Sequence, residues 1–318
     1  MLVLKKKVKI LDIPEKYGKC ISFFGAEGKY IMISFEERKF VFLRIEKDAL
    51  NKKDVISFKN IEKIWLKDGE KIKEDLEKKM LNKKQVLFLG GIDTKFYWED
   101  LRNRFYLIIL NNVFVFEEKG QIITSFSFEL NYPEEKIVCI VVDKNFKLWS
   151  FTNKLQNNIF LMDKEYKLKK LISLRYENTE VYHTKGISGE GNEVYFIQSN
   201  PILIYKIISV SEEITKVEYK NIIIEGIPEG NKRNIILTGA IFKKPKVLCL
   251  LQGHFNNTSQ YNLLFISPSL SFFTYEKILE PKISYSISSM DEERHLFVLF
   301  FRPPSQFELF EFEIIENL

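Results

Sequence analysis

The chain has 318 residues, with 48 basic against 43 acidic side chains and a net charge of +5. Hydrophobic residues at 45% and charged residues at 29% exclude global disorder, and 14 glycines with 9 prolines exclude collagen-like and low-complexity classes. The longest apolar runs are six residues (105–110, 137–142 and 296–301), too short for a transmembrane helix.

The chain opens on LVLKKKVKI at 2–10, extended in character, with no apolar core of a secretory signal behind its lysines. The expectation is a cytoplasmic protein, or an exported one whose signal has been removed. From Cys20 onward one pattern recurs: a polar turn, one polar residue, then a short strand of aromatic and β-branched residues. It reads GAEG-KYIMIS at 25–34, EDLRN-RFYLII at 99–109, VDKNF-KLWSF at 142–151, GEGN-EVYFIQ at 189–198, FKKP-KVLCLL at 242–251 and MDEER-HLFVLF at 290–300. Anchored on Lys29, Arg104, Lys147, Glu193, Lys246 and His295, the intervals are 75, 43, 46, 53 and 49 residues. A second strand follows each turn-and-strand: FVFLRI at 40–45, VFVFE at 113–117, IFLMD at 159–163, ILIYKI at 202–207, YNLLFI at 261–266 and FELFEFEI at 307–314. In the first of these Phe40, Phe42 and Arg44 alternate with Val41, Leu43 and Ile45, the period of a strand. A more polar third strand comes next at 55–59, 122–128, 170–174, 214–219 and 272–277. Another apolar strand precedes the turn, as at 20–24, 136–142 and 234–240.

Four strands in about 48 residues, six times over, predict an all-β, six-bladed β-propeller with four-stranded antiparallel blades. The sixth repeat ends at Leu318 before an outer strand forms, so residues 2–10 are expected to complete the last blade and cover its open edge. The domain then spans 1–318, with an insertion at about 60–84 that accounts for the long interval. Within it Ile72, Leu76 and Met80 recur every four residues among Lys and Glu, which predicts a helix over 70–81.

VDKNFKLWSF at 142–151 and GEGNEVYFIQ at 189–198 resemble the repeat of NHL-type six-bladed propellers, a pattern like V-D-x-x-G-N-hydrophobic-Tyr/Trp-Val; the turns before Lys29, Lys246 and His295 are degenerate. WD repeats are less similar, since a Gly-His pair occurs once, at Gly253-His254. The resemblance implies a fold and no chemistry. The sialidase box S-x-D-x-G-x-x-W, the G-x-S-x-G elbow, the P-loop and G-x-G-x-x-G are all missing, while a Ser-His-Asp set scattered along the chain stays open. Cys20, Cys139 and Cys249 lie in apolar runs without C-x-x-C spacing and read as buried thiols. His183, His254 and His295 are isolated, so neither a metal nor a cofactor is expected. With 40 lysines and eight arginines, interspersed with acids, the charge pattern is that of a solvated surface and predicts no nucleic-acid partner.

What remains is the end of the sheets where second strands turn into third strands. QGHFNNTSQ at 252–260 is the longest and most polar of these turns and carries His254, Asn256 and Asn257. The equivalent turn FFRPPSQ at 300–306 carries Arg302, stiffened by Pro303-Pro304. An Arg near a His and two amides suits an anionic or carbonyl-bearing ligand. Asn is also the residue that tight turns prefer. The sequence therefore predicts a monomeric, non-catalytic propeller binding a protein or other large ligand through its loop-rich face. The competing reading is a hydrolase or lyase acting on a sugar or lactone at the channel mouth.

Overall fold

A computed structural model describes 25 strands together with residues 101–103, 111, 118–121, 128, 143–147, 163–167, 189–192, 223, 235, 267 and 269–270. Every element among them is β. The first strand, β1 (Leu2–Asp12), does not join the sheet that follows it in sequence. That sheet is β2 (Cys20–Ala26), β3 (Lys29–Glu36), β4 (Lys39–Glu46) and β6 (Glu62–Trp65), with β5 (Val55–Ser57) outside it. The next is β7 (Thr94–Glu99), β8 (Arg104–Ile109), β9 (Asn112–Glu117) and β10 (Ile122–Ser127). Then come β11 (Lys136–Val142), β12 (Leu148–Asn153), β13 (Asn157–Met162) and β14 (Leu168–Leu174). A further sheet is β15 (Tyr182–Ser188), β16 (Glu193–Ser199), β17 (Ile202–Ser209) and β18 (Thr215–Ile222). It is followed by β19 (Ile236–Lys243), β20 (Lys246–Phe255), β21 (Thr258–Ile266) and β22 (Phe273–Leu279). Each of these sheets is an antiparallel meander. The last combines β23 (Ser284–Met290), β24 (His295–Arg302) and β25 (Gln306–Glu316) with β1 and β5, in the order β23-β24-β25-β1-β5.

The sequence explains which strands lie inside each sheet. β8 (RFYLII) and the centre of β16 (EVYFIQS) are continuous apolar runs, and both strands are buried on both faces from their second residue onward. β10 (IITSFS) alternates half-buried and exposed side chains, as an outer strand with one wet face must. The chain folds into two compact units, Met1–Phe128 with Ile283–Leu318, and Glu129–Lys282. In the second unit Tyr195, Ile197 and Ile204 of one sheet pack with Leu237, Cys249 and Leu264 of the next.

The N-terminal strand does complete the last sheet. β1 runs antiparallel to β25 over eleven residue pairs, from Leu2 opposite Glu316 to Asp12 opposite Gln306. Two details depart from the sequence reading. VISFK at 55–59 is not the outer strand of the first sheet: Val55–Ser57 pair in parallel with Ile10–Asp12 of β1, and Glu62–Trp65 take the outer place beside β4. Both segments are short and of mixed polarity, so pattern alone cannot rank them; the choice rests on which partner edge is open. The expected helix at 70–81 lies outside the described residues.

Candidate functional site

Pairing in the fifth sheet shortens the turn on which the site was expected. β20 continues through His254 and Phe255, which face Ser259 and Thr258 of β21. Residues 252–255 and 258–260 are thus ladder rungs, not a loop. The backbone hydrogen bonds of a hairpin override local polarity, and Gly253 is already buried. His254 stands on the last rung but one before the turn; Asn256 and Asn257 lie outside the described residues. Arg302 ends β24, opposite Gln306. His254 and Arg302 therefore occupy corresponding strand ends, each in its own unit.

At the other end of the sheets Glu99, Asp143 and Asp163 are committed to holding turns. In 143–147 the Phe146 N–H donates to the Asp143 carbonyl and the Asp143 N–H to the Lys147 carbonyl, both at 3.0 Å, with φ 62° at Phe146. This is a type I turn closed by a left-handed residue, the usual three-residue hairpin. Residues 163–167 repeat it with φ 62° at Tyr166, and 117–121 with Gly120 at φ 80°. The NHL-type pattern has glycine where Phe146 stands, so the aspartate must stabilise the turn against the ~1–2 kcal/mol that a side chain costs in this conformation. Asp143 Oδ1 accepts from the Asn145 N–H at 2.8 Å and the Lys147 N–H at 3.0 Å, and Oδ2 accepts from Trp149 Nε1–H at 2.9 Å. Asn145 also donates to Asn192 in the corresponding turn of the neighbouring sheet.

Glu99 serves the same purpose by other means. Only 2% exposed at the end of β7, it accepts from Arg102 Nε at 2.6 Å, Arg102 Nη2 at 2.8 Å and Tyr106 Oη at 2.7 Å. A carboxylate so gripped is a structural group. In the fourth sheet Lys206 Nζ lies 2.8 Å from Glu193 Oε1, while Tyr195 Oη donates to Oε2 at 2.8 Å. Burial first, and then that carboxylate, push the Tyr195 phenol well above its ordinary range.

Asp163 is the more exposed copy of Asp143. Burial works to raise its carboxyl, but the Lys167 N–H, the Lys169 ammonium at 3.2 Å and the Glu165 N–H together outweigh it and hold it below the ordinary carboxylate value. Its contribution to stability is therefore present above that value and lost as pH falls through the depressed one. Asp163→Asn keeps the acceptor for both backbone N–H groups and removes the charge. It should lower the melting temperature slightly at pH 7 and converge with the wild type only once pH has fallen through the depressed carboxyl value; a gap, read by calorimetry, that does not narrow as pH falls would contradict the charge pairing.

Cys139 and Cys249 are buried free thiols, and burial pushes Cys249 well above the usual range, away from reactivity. Among the described residues no three His, Cys, Asp or Glu side chains gather as a metal site, and no helix is long and apolar enough to cross a membrane.

No protein-family model matches the chain, nor does any curated protein sequence. Solved structures do. A Bacteroides fragilis protein aligns over 98% of this chain and 96% of its own, at 8% identity and a TM-score of 0.56. The WD40 domain of Toxoplasma gondii coronin aligns over 99% and 87%, at 6% identity and 0.53. The β-propeller domain of Cps50 (Swd1) from Myceliophteria thermophila aligns over 96% and 99%, at 8% identity and 0.52. The chain has the β-propeller fold. Within its own sheet His254 lies at the end opposite the β19–β20 turn, and within its own sheet Arg302 lies at the end opposite the β23–β24 turn. At such identities the likeness extends to the path of the backbone and not to any site.

Proposed function

We propose that the chain is a non-catalytic six-bladed propeller with NHL-like repeats. It binds a protein or another large ligand through the end of its sheets where second strands turn into third. The observation that carries the reading is the placement of His254 and Arg302 on ladder rungs, not on free loops. Side chains on paired strand ends lose less conformational freedom on binding than side chains on loops, which favours recognition by a fixed surface. Ile223 adds an apolar element: it is 63% exposed just past β18, at the same end of its sheet, where Ile222 faces Ile202. At the opposite end Glu99, Asp143 and Asp163 are engaged in holding turns, which leaves those carboxylates less to offer a partner.

The test pairs stability with capture. The wild type and a His254→Ala, Arg302→Ala double variant are compared in quantitative cross-linking capture and in thermal melts. The expected result is an unchanged melting temperature with capture of the wild type's partner reduced at least about tenfold, the scale of truncating one of the few residues that dominate an interface. Capture retained by the variant, or a lowered melting temperature that accounts for its loss, overturns the assignment.

A further inference from the structure

The unpaired edge of an outer strand is a template for another chain, and proteins blunt such edges with short strands or with breaks in register. The outer strands of this chain are β5, β6, β10, β14, β18 and β22. β5 and β6 are three and four residues long. β10, β14 and β22 each slip register against the strand inside them. β18 is the exception among the described outer strands. Its eight residues pair with β17 rung for rung, from Thr215 opposite Ser209 to Ile222 opposite Ile202.

Solvent reaches this edge. Lys216, Tyr219, Lys220 and Asn221 are exposed, Tyr219 at 62%. The Tyr219 ring rests on Tyr205, opposite it on β17, with 6.4 Å between centroids. A large aromatic side chain fixed on a paired strand, with most of its surface in water, is a ready anchor for a contact. The opposite face of β18 carries Lys216, Glu218 and Lys220, since alternate residues of a strand share a face. Glu218 Oε1 lies 2.5 Å from Lys216 Nζ. The strand thus presents a row of alternating charge on one face and an aromatic on the other.

We infer that β18 is a docking edge for a second copy of this chain, the two strands pairing antiparallel about a two-fold axis at Tyr219. In an antiparallel pair, residues directly opposite each other point to the same face, so a two-fold axis must pass where a residue meets its own copy. Centred on Tyr219, the ladder runs seven rungs, Lys216 to Ile222. It sets Glu218 opposite the partner's Lys220, Lys220 opposite the partner's Glu218, and the two Tyr219 rings against each other, all favourable cross-strand pairs. Centring on Glu218 would oppose two carboxylates and set Lys216 against the partner's Lys220; centring on Lys220 would oppose two ammonium groups. Centring on Val217 leaves five rungs, Thr215 to Tyr219. Pairing of one strand falls short of the ~1,000 Å² of a lasting interface, so the dimer is reversible and the chain is monomeric in dilute solution. The edge involves neither His254 nor Arg302.

Sedimentation equilibrium of the full chain at concentrations up to ~1 mM reads the dimer. The samples are the wild type, E218K, K220E and an equimolar mixture of the two variants. By symmetry each substitution turns two opposite-charge pairs into like-charge pairs, and should weaken the wild-type dimer at least about tenfold. In the mixture each like-charged strand faces one of the opposite sign, so a heterodimer should form about as tightly as the wild-type dimer. Thermal melts accompany each sample. K220E should melt as the wild type does, because Lys220 is exposed. E218K gives up the contact with Lys216; if it melts lower, Y219E and Y219K, both at the axis, replace the two variants in the same mixing test. A wild type that stays monomeric throughout, a dimer unaffected by K220E, or a mixture that fails to associate overturns the docking edge.

Discussion

A chain lacking residues 1–12 is expected to aggregate and to melt well below the intact protein. β25 then loses all eleven of its pairs with β1 and becomes an open edge eleven residues long. β5 loses its partner as well, since Val55–Ser57 pair with the end of β1. Unpaired backbone groups along such an edge are a template for another copy. The loss of a whole strand should exceed the ~0.5–3 kcal/mol typical of a point substitution. Calorimetry and light scattering provide the measurement: a truncated protein that stays monomeric with an unchanged melting temperature would show that the last sheet does not depend on its N-terminal strand. Supplying residues 1–12 as a separate peptide should partly restore the transition.

The second large effect is expected at Asp143. Its fully buried carboxylate accepts two backbone N–H groups and the indole N–H of Trp149, itself fully buried. Asp143→Ala leaves that indole N–H without its acceptor and removes support from the left-handed Phe146, for a loss of roughly 3 kcal/mol. Asp143→Asn can still accept from both backbone groups through one oxygen but cannot accept from Trp149, so about half that loss is expected. Urea denaturation of both variants checks the order. Equal effects would mean that the charge matters more than the geometry, and no effect would remove Asp143 from the account of the turn.

The strand pattern was legible because burial on both faces demands a continuous apolar run. Middle strands such as RFYLII and KVLCLL announce themselves, and polar turns separate them at regular intervals. The role of residues 2–10 was legible from counting, since one sheet lacked a strand and one segment lacked a sheet. Where pattern failed, the deciding interaction was between backbones. Val55–Ser57 and Glu62–Trp65 compete for outer positions that side chains barely specify. In QGHFNNTSQ, side-chain polarity suggests a loop, while the ladder carries the strand through to Phe255. In the candidate site, side-chain polarity misjudges the length of the turn after His254. Glu99 is clamped by Arg102 and Tyr106, three and seven residues away, too local a relation for any repeat to reveal.

The pairing of β1 with β25 also sets how this protein answers to mechanical load. Leu2 is opposite Glu316, so both ends of the ladder's outermost rung sit next to the points where tension would enter. Pulling the two ends apart loads the hydrogen bonds one rung after another, like a zipper, instead of shearing eleven rungs together. The seam should therefore open at low force and reclose readily when the load is removed. Anchored through a point within another sheet, the same chain would resist far more, because force would then run along paired strands.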